Sequence, residues 1–486
     1  MSVRIQFVTK SRRPRKIEGS LIIGRASRLQ DKDVLACLPA GADAVWDDLV
    51  SSLKASDGGV GTGTWIPGKK AHRLGVGVLP TTSSRHNAEG RPDAIGSLVS
   101  SRAPRKGDIE IIVALEHGDH ALAAACAVVR AYPTYSEKSS SPKKRTVSVL
   151  LLAPTPIRKL DAIQRVADAM REAGALVDMP ASVLHVTAFT KKAKKIAKDL
   201  GAKTTVIAGK KLDEKGFGGL WGVGKAAVHE PALVVLSHRP AKAKKNIVWV
   251  GKGIVYDTGG LSIKTKSGMP GMKGDMGGAA AVMMAFKAAV ENGFSENLDA
   301  VLCLAENSVG PEATRPDDIL KLYSGKTVEV NNTDAEGRLV LGDGVAYAVA
   351  KLKPTVIVDM ATLTGAQLMA TGRNHAALVC NDENLENAAV QAGKNSGDLV
   401  FPLPYCPEFY RGEFKSEVAD MKNSVKDRMN AQTSCAGQFI ADHLGKYTGP
   451  WLHVDLAGPS FRKGRGTGFG VALLTQLFAG KNSWSG

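Results

Sequence analysis

Residues 331–339 read Asn-Asn-Thr-Asp-Ala-Glu-Gly-Arg-Leu and place Asp334, Glu336 and Arg338 at alternate positions behind the strand-like residues 327–330. An extended backbone here would turn all three side chains to one face. Two carboxylates beside a guanidinium can hold a divalent cation through hard oxygen ligands and fix an anion next to it, as a hydrolytic metal site requires. A solvated turn carrying an Asp/Arg pair would read the same, and such exposed pairs contribute little.

Upstream, Asp257 closes an apolar run that begins at Ile247 and passes through Gly251-Lys252-Gly253; the chain then continues through Gly259-Gly260 to Lys264. Ligands in open α/β sheets bind at the carboxyl ends of strands, so an acid ending such a run stands where chemistry is done. The glycines around it let backbone approach an ion or a substrate. A further acid, Asp275, follows Met272-Lys273-Gly274 and precedes the helix-forming residues 279–286, near the positive end of that helix. Alone it reads as an ordinary acid at a helix start. The case for a site comes from both glycine-rich acidic segments together.

These segments resemble the leucyl aminopeptidase family of two-metal exopeptidases, and within it the aminopeptidase-like branch of animals and protists. The resemblance runs from about residue 175 to residue 478 and is most specific in residues 251–264, 272–281, 332–339, 361–366 and 451–458. It implies an α/β chain in which a smaller N-terminal α/β domain and a connecting helix precede a C-terminal catalytic α/β domain with a central mixed sheet. The corresponding boundaries are 1–158, 159–178 and 179–486. It also makes Lys252, Asp257, Asp275, Asp334 and Glu336 ligands of two divalent metal ions per subunit, zinc, with manganese or cobalt at the exchangeable position. Asp257 and Glu336 would bridge the ions, Lys252 and Asp275 would complete the tighter site, and Asp334 would belong to the exchangeable one. The carboxylates balance the two cations, and Lys252 can ligate only as a neutral amine, so its pKa would have to fall well below the usual ~10.4.

Under the same resemblance Lys264 hydrogen-bonds the oxyanion that develops on the scissile carbonyl, and Arg338 holds a bicarbonate that accepts and returns a proton. Neither would ligate metal. Met272, Thr362, Leu363 and Gly365 fall where the family lines the pocket for the first side chain, and a thioether among small residues suits Leu- or Met-like groups. The implied activity is release of N-terminal neutral apolar residues from short peptides, by a homohexamer whose active sites face an interior cavity. One segment departs from the family pattern. Where a glycine- and alanine-rich helix start is usual, residues 430–438 read Asn-Ala-Gln-Thr-Ser-Cys-Ala-Gly-Gln, which bears on the shape of that pocket.

The rest of the chain must position these groups. At 486 residues it exceeds one ordinary core, so two domains are the default, and its 44% hydrophobic content suits a globular fold. Strand-like residues 109–115 and 146–153 alternate with helix-like residues 120–129, which argues for α/β. Residues 139–144 read as an exposed loop and residues 160–175 have helical spacing. Residues 247–255, 298–304, 355–359 and 451–456 read as strands of a mixed sheet. The cysteines Cys37, Cys126, Cys303, Cys380, Cys406 and Cys435 form no C-x-x-C pair, as in a cytoplasmic protein with reduced thiols. No apolar run reaches the roughly 18 residues that span a bilayer. Residues 3–8 look like a strand, which favours a folded amino terminus over a transit peptide.

Other readings compete. Residues 63–70 nearly spell a phosphate-binding loop, but Lys70 replaces the Ser or Thr that would hold magnesium and no apolar strand leads in. There is no H-E-x-x-H, which argues against a zincin. The net charge of +17, with lysines at 191, 192, 194, 195 and 198 and again at 242, 244 and 245, could draw nucleic acid or another polyanion. No aromatic residues interleave with these lysines, so a solvated helix face is the simpler reading. A two-metal phosphoesterase would use the same carboxylates on a different substrate.

Overall fold

A computed structural model of the chain describes residues 3–8, 10, 17–68, 71–140, 144–479 and 484. Met1–Arg171 with Gly393–Leu399 make one compact unit, and Glu172–Ala392 with Val400–Gly486 make another.

The first unit is built on a six-stranded sheet. Its strands are β1 (Val3–Val8), β2 (Ile17–Gly24), β3 (Val60–Ile66), β4 (His72–Val78), β5 (Asp108–Ala114) and β6 (Arg145–Leu152), in the order β1-β6-β5-β2-β4-β3. All neighbours run parallel except β3 and β4. Consecutive residues Leu21, Ile22 and Ile23 are fully buried, so both faces of the sheet are covered, as parallel strands require. The near-match to a phosphate-binding loop begins inside β3, antiparallel to β4, and so is not the turn into a helix that such a loop needs; residues 69 and 70 lie outside the described residues. Of the expected loop, residues 139, 140 and 144 are exposed, and 141–143 are outside the described residues. The helical spacing of residues 160–175 corresponds to the helix Leu160–Asp178.

The second unit holds β7 (Lys203–Ala208), β8 (Ala232–His238), β9 (Asn246–Asp257), β10 (Asn297–Asn307), β11 (Ile319–Lys321), β12 (Thr327–Glu329), β13 (Val356–Ala361), β14 (Ala376–Cys380), β15 (Val400–Pro402), β16 (Met421–Lys422) and β17 (Trp451–Asp455). Eight of them form the central sheet, β15-β14-β17-β13-β9-β10-β8-β7, and β11, β12 and β16 form a small separate one. The sheet is mixed: β17, β13, β9 and β10 are mutually parallel, whereas β14 runs against β17 and β8 against β10. The run Ile247-Val248-Trp249-Val250 is buried on both faces. The helix Gly277–Glu291 connects β9 to β10 and is apolar almost all round because nearly all of it is buried. The parallel centre therefore brings the carboxyl ends of β9, β10, β13 and β17 side by side, and with them Asp257, Asn307, Ala361 and Asp455. No helix among the described residues is long and apolar enough to cross a membrane. All six cysteines are free of disulfides.

Candidate metal centre

β9 carries Lys252 in its interior and Asp257 as its last residue, both 2% exposed. Asp275 follows the 3-10 turn Met272–Gly274 and stands two residues ahead of the helix Gly277–Glu291, at its positive end. Asp334 and Glu336 come from the loop between β12 and the helix Gly337–Tyr347.

Here the extended-backbone expectation fails. β12 ends at Glu329, residues 333 and 334 form a turn, and Glu336 caps the helix in a right-handed conformation (φ −75°, ψ −33°), with Arg338 in the first turn. Local side-chain hydrogen bonds offer this backbone an alternative to a strand. The Asn332 carboxamide oxygen accepts from the Asp334 N–H at 2.9 Å. Buried Asn423 accepts from the Asn331 and Asn332 N–H groups and donates to the carbonyls of Asn332 and Ala335. The turn, rather than strand alternation, aims the two acids. One oxygen each from Asp257, Asp334 and Glu336 lies within 4.8 Å of the others.

Two lysines thread this cluster. Lys252 Nζ lies 2.8 Å from Asp275 Oδ2 and 2.9 Å from Glu336 Oε1, and donates to the Thr362 carbonyl at 2.9 Å. A Cβ on Gly337 would fall 2.6 Å from Lys252 Cε, so only glycine lets the lysine pass there. Lys264 Nζ lies 2.7 Å from Asp257 Oδ2 and 2.5 Å from Asp334 Oδ1. Burial disfavours charge on Lys252, but Asp275, Glu336 and Asp257 outweigh it and hold the ammonium above its ordinary pKa. The same opposition, with Asp257 the chief partner, holds Lys264 up. Burial pushes the carboxyls of Asp275, Glu336 and Asp334 up as well, Asp275 most strongly.

One acid oxygen is left over: Glu336 Oε2 is buried with no partner among the described residues, whereas Asp275 Oδ2 and Asp334 Oδ1 are met by lysine ammonium groups at 2.8 and 2.5 Å. An unmet buried acceptor costs about 1–3 kcal/mol, so this atom calls for a partner. Carboxylate oxygens with one amine suit hard or borderline divalent cations. The residues present therefore fit a metal centre.

Of the expected pocket residues, Thr362 is tied directly to the cluster, its hydroxyl donating to Asp275 Oδ1 at 2.8 Å. Met272 opens the turn that leads to Asp275, whose N–H donates to the Met272 carbonyl at 3.2 Å. The Leu363 N–H donates to Asp455, and Gly365 starts the helix Gly365–Ala370, exposed and with open space at its Cβ position. The departing segment forms the helix Gln432–Ala441, and its Thr433 hydroxyl lies 3.0 Å from that of Thr364, which brings the changed residues to the pocket loop. Arg338 is 5% exposed, and its Nε and one terminal nitrogen have no partner among the described residues. Burial lowers its pKa to about 10.

Sequence reasoning passed over Asn307, whose amide donates to Asp257 Oδ1 at 2.8 Å and to the Thr333 carbonyl at 3.1 Å. It also passed over Thr333, which laces the two acidic loops: its hydroxyl donates to the Gly259 carbonyl and accepts from the Ser262 N–H. The available signal was position, since Asn307 ends β10 beside the Asp257 end of β9.

An acid-and-lysine cluster at the carboxyl ends of a mixed sheet is an arrangement that metal-dependent hydrolases use. The chain belongs to the cytosol aminopeptidase family, whose catalytic-domain model matches residues 171–475 and whose second type of N-terminal domain matches residues 21–141. It is an aminopeptidase of the leucyl type, in a family that generally depends on two metal ions. It is 52% identical over 413 residues to human probable aminopeptidase NPEPL1, covering 83% of this chain and 79% of that protein. It is 42% identical over 473 residues to leucine aminopeptidase 1 of Caenorhabditis elegans, covering 94% of each. The leucyl aminopeptidase of Trypanosoma cruzi superposes with a TM-score of 0.89 at 42% identity, over 95% of this chain and 92% of that one. The Trypanosoma brucei leucyl aminopeptidase in complex with bestatin does so with 0.89 at 39% identity, over 98% and 95%.

Proposed function

We propose that this chain releases N-terminal neutral apolar residues, Leu- or Met-like, from short peptides in the cytoplasm, with two divalent ions held by Lys252, Asp257, Asp275, Asp334 and Glu336. The observation that carries this reading is the convergence of Asp257, Asp334 and Glu336 on two lysines, with Glu336 Oε2 left unmet. When bound, the cations would make water a nucleophile near neutral pH and polarise the scissile carbonyl. Zinc fits both positions, with manganese or cobalt an option at the Asp334 side.

The chain's own groups divide the remaining work. Lys264, between buried Asp257 and the more exposed Asp334, donates a hydrogen bond to the oxyanion as it develops. Arg338 offers its unmet N–H groups to a bicarbonate and so fixes a proton acceptor beside the reacting centre. Met272, Thr362, Leu363 and Gly365 bound the space for the first side chain, with Thr362 keeping that wall in register with Asp275. We further propose a homohexamer with enclosed sites, and a smaller N-terminal domain over residues 1–158 joined by a helical linker.

Aminoacyl and phosphate-ester chromogenic substrates offered to the metal-loaded protein test the reading. Cleavage of leucyl and methionyl amides alone is the expected result. Cleavage of the phosphate ester alone would replace this function with phosphoester hydrolysis.

A further inference from the structure

Gly24 ends β2 and Ala114 ends β5, side by side in the parallel sheet of the first unit. From Gly24 the chain leads to β3 and β4 on one side of this pair, and from Ala114 it leads to β6 on the other. Adjacent parallel strands whose continuations part in this way leave a crevice beyond their carboxyl ends, where open α/β sheets take ligands. A cleft of about 250 Å³, open to solvent, lies there, and Arg25, Leu79, Glu89, Leu115, Glu116 and His120 line it. Pockets for drug-sized molecules run to roughly 300–1,000 Å³, so this one suits a ligand of amino-acid size rather than a nucleotide.

The floor of the cleft is apolar and its rim carries both signs of charge. Leu79 and Leu115 are 5% and 2% exposed. Arg91, also in the wall, is spent: it donates to the Asp93 carboxylate and to the carbonyls of Thr82 and Asp57. Arg25 is held more loosely. It reaches the Glu89 carbonyl at 3.3 Å and stands 3.9 Å from the Glu116 carboxylate, at the outer limit of an ion pair. Glu89 Oε2 in turn lies 3.8 Å from His120 Nε2. His120 Nδ1 is buried and has no hydrogen-bond partner among the described residues. Burial holds the imidazole below its ordinary pKa, so it is uncharged at neutral pH. Two carboxylates beside one loosely held guanidinium oppose a phosphate, whereas a zwitterion satisfies both signs at once.

We propose that this cleft binds a free amino acid with an apolar side chain. Its carboxylate pairs with Arg25 and takes His120 Nδ1 as a second partner, its ammonium group pairs with Glu116 and Glu89, and its side chain lies on Leu79 and Leu115. Free amino acids are what an aminopeptidase releases, so the ligand is at hand wherever the enzyme works. The inference stands apart from the metal reading, because all six residues belong to the first unit and none is among the ligands assigned above.

The test is calorimetric titration with L-leucine of full-length Glu336→Ala, in which the catalytic centre is disabled, and of Arg25→Gln and Glu116→Gln made on that background. Metal-stripped wild type serves as a second background. The Arg25 and Glu116 side chains are 24% and 37% exposed, so their replacement spares the fold. We expect leucine to bind both backgrounds and to bind about tenfold more weakly after either rim substitution, the loss that follows from one charge-assisted hydrogen bond. 4-Methylpentanoate and isoamylamine, which each keep one of the two charges, are expected to bind about tenfold more weakly than leucine for the same reason. Leucine that binds neither background, or binds with affinity unchanged by both rim substitutions, would overturn the proposal. Inorganic phosphate binding more tightly than leucine would overturn the zwitterion in favour of an anion site.

Discussion

Lys252 is the least ordinary ligand, because a lysine coordinates only after giving up its proton. It is 2% exposed and fixed between Asp275, Glu336 and the Thr362 carbonyl, so a replacement must fit the same channel past Gly337. We expect Lys252→Arg, which stays protonated, to hold less than the full complement of metal and to lose activity in proportion, as read by mass spectrometry of bound metal. Full occupancy and activity would remove Lys252 from the ligand set. Lys264 should behave differently. Lys264→Ala is expected to lower kcat by about 10²–10³ while retaining metal, because its hydrogen bond is needed in the transition state rather than for assembly; parallel loss of metal and turnover would show it to be a structural counter-ion for Asp257 and Asp334. At this scale the charged residues were legible in the sequence because acids and lysines stand out in glycine-rich segments. Asn307, Thr333, Asn423 and Asp455 were not, since each acts through short-range hydrogen bonds to backbone or to a ligand, and such partners have no signature in residue type or spacing.

The elements that deliver these residues were legible where their burial is simple. The apolar residues 247–255 and 298–304 correspond to the buried strands β9 and β10, and residues 279–286 to the core of the helix Gly277–Glu291. Residues 331–339 were misread because alternation of charge suits a strand, whereas Asn332 and Asn423 bend this backbone into a turn and a helix cap. Tight seating of that connecting helix on the sheet follows from Gly278, where a Cβ would come within 2.0 Å of the Met360 carbonyl oxygen. Gly278→Ala should therefore cost about 1–3 kcal/mol in chemical denaturation of the metal-loaded protein, since backbone cannot yield as a side chain can. The helix Gln432–Ala441 leads into His443, whose ring is buried against Ser324 and whose pKa burial lowers to about 3. A histidine depressed in the folded state stabilises fully above the unfolded value near 6.5, and that contribution is lost as pH falls from there toward 3. Buried Asp343, raised by burial to about 7, acts in the opposite sense over part of this range, so the comparison must be made between variants. Relative to wild type, His443→Gln is expected to gain stability progressively as pH drops from 6.5 to 5; parallel stability curves would show that His443 does not titrate on unfolding.

For the whole molecule, net charge and assembly set the remaining expectations. The lysines of the helix Val186–Asp199 are exposed, and charge attraction through them would fall steeply with added salt. Analytical ultracentrifugation should find a species near six times the 51.2 kDa chain mass if the sites are enclosed in a hexamer, and a monomer at micromolar concentration would contradict that proposal. The two-domain α/β class was legible from length and from alternating runs, because both follow from how much apolar surface a chain of this size must bury. The central claim is that the carboxylates around Lys252 and Lys264 work through bound metal on aminoacyl substrates. It is tested most directly by hydrolysis of a panel of aminoacyl-amidomethylcoumarins with metal-stripped protein, before and after zinc, manganese or cobalt is restored, beside Glu336→Ala. Activity that returns with metal in the wild type, favours leucyl and methionyl substrates and is absent from Glu336→Ala is the result expected. Wild-type protein that binds two metal ions and still cleaves none of the panel would contradict it.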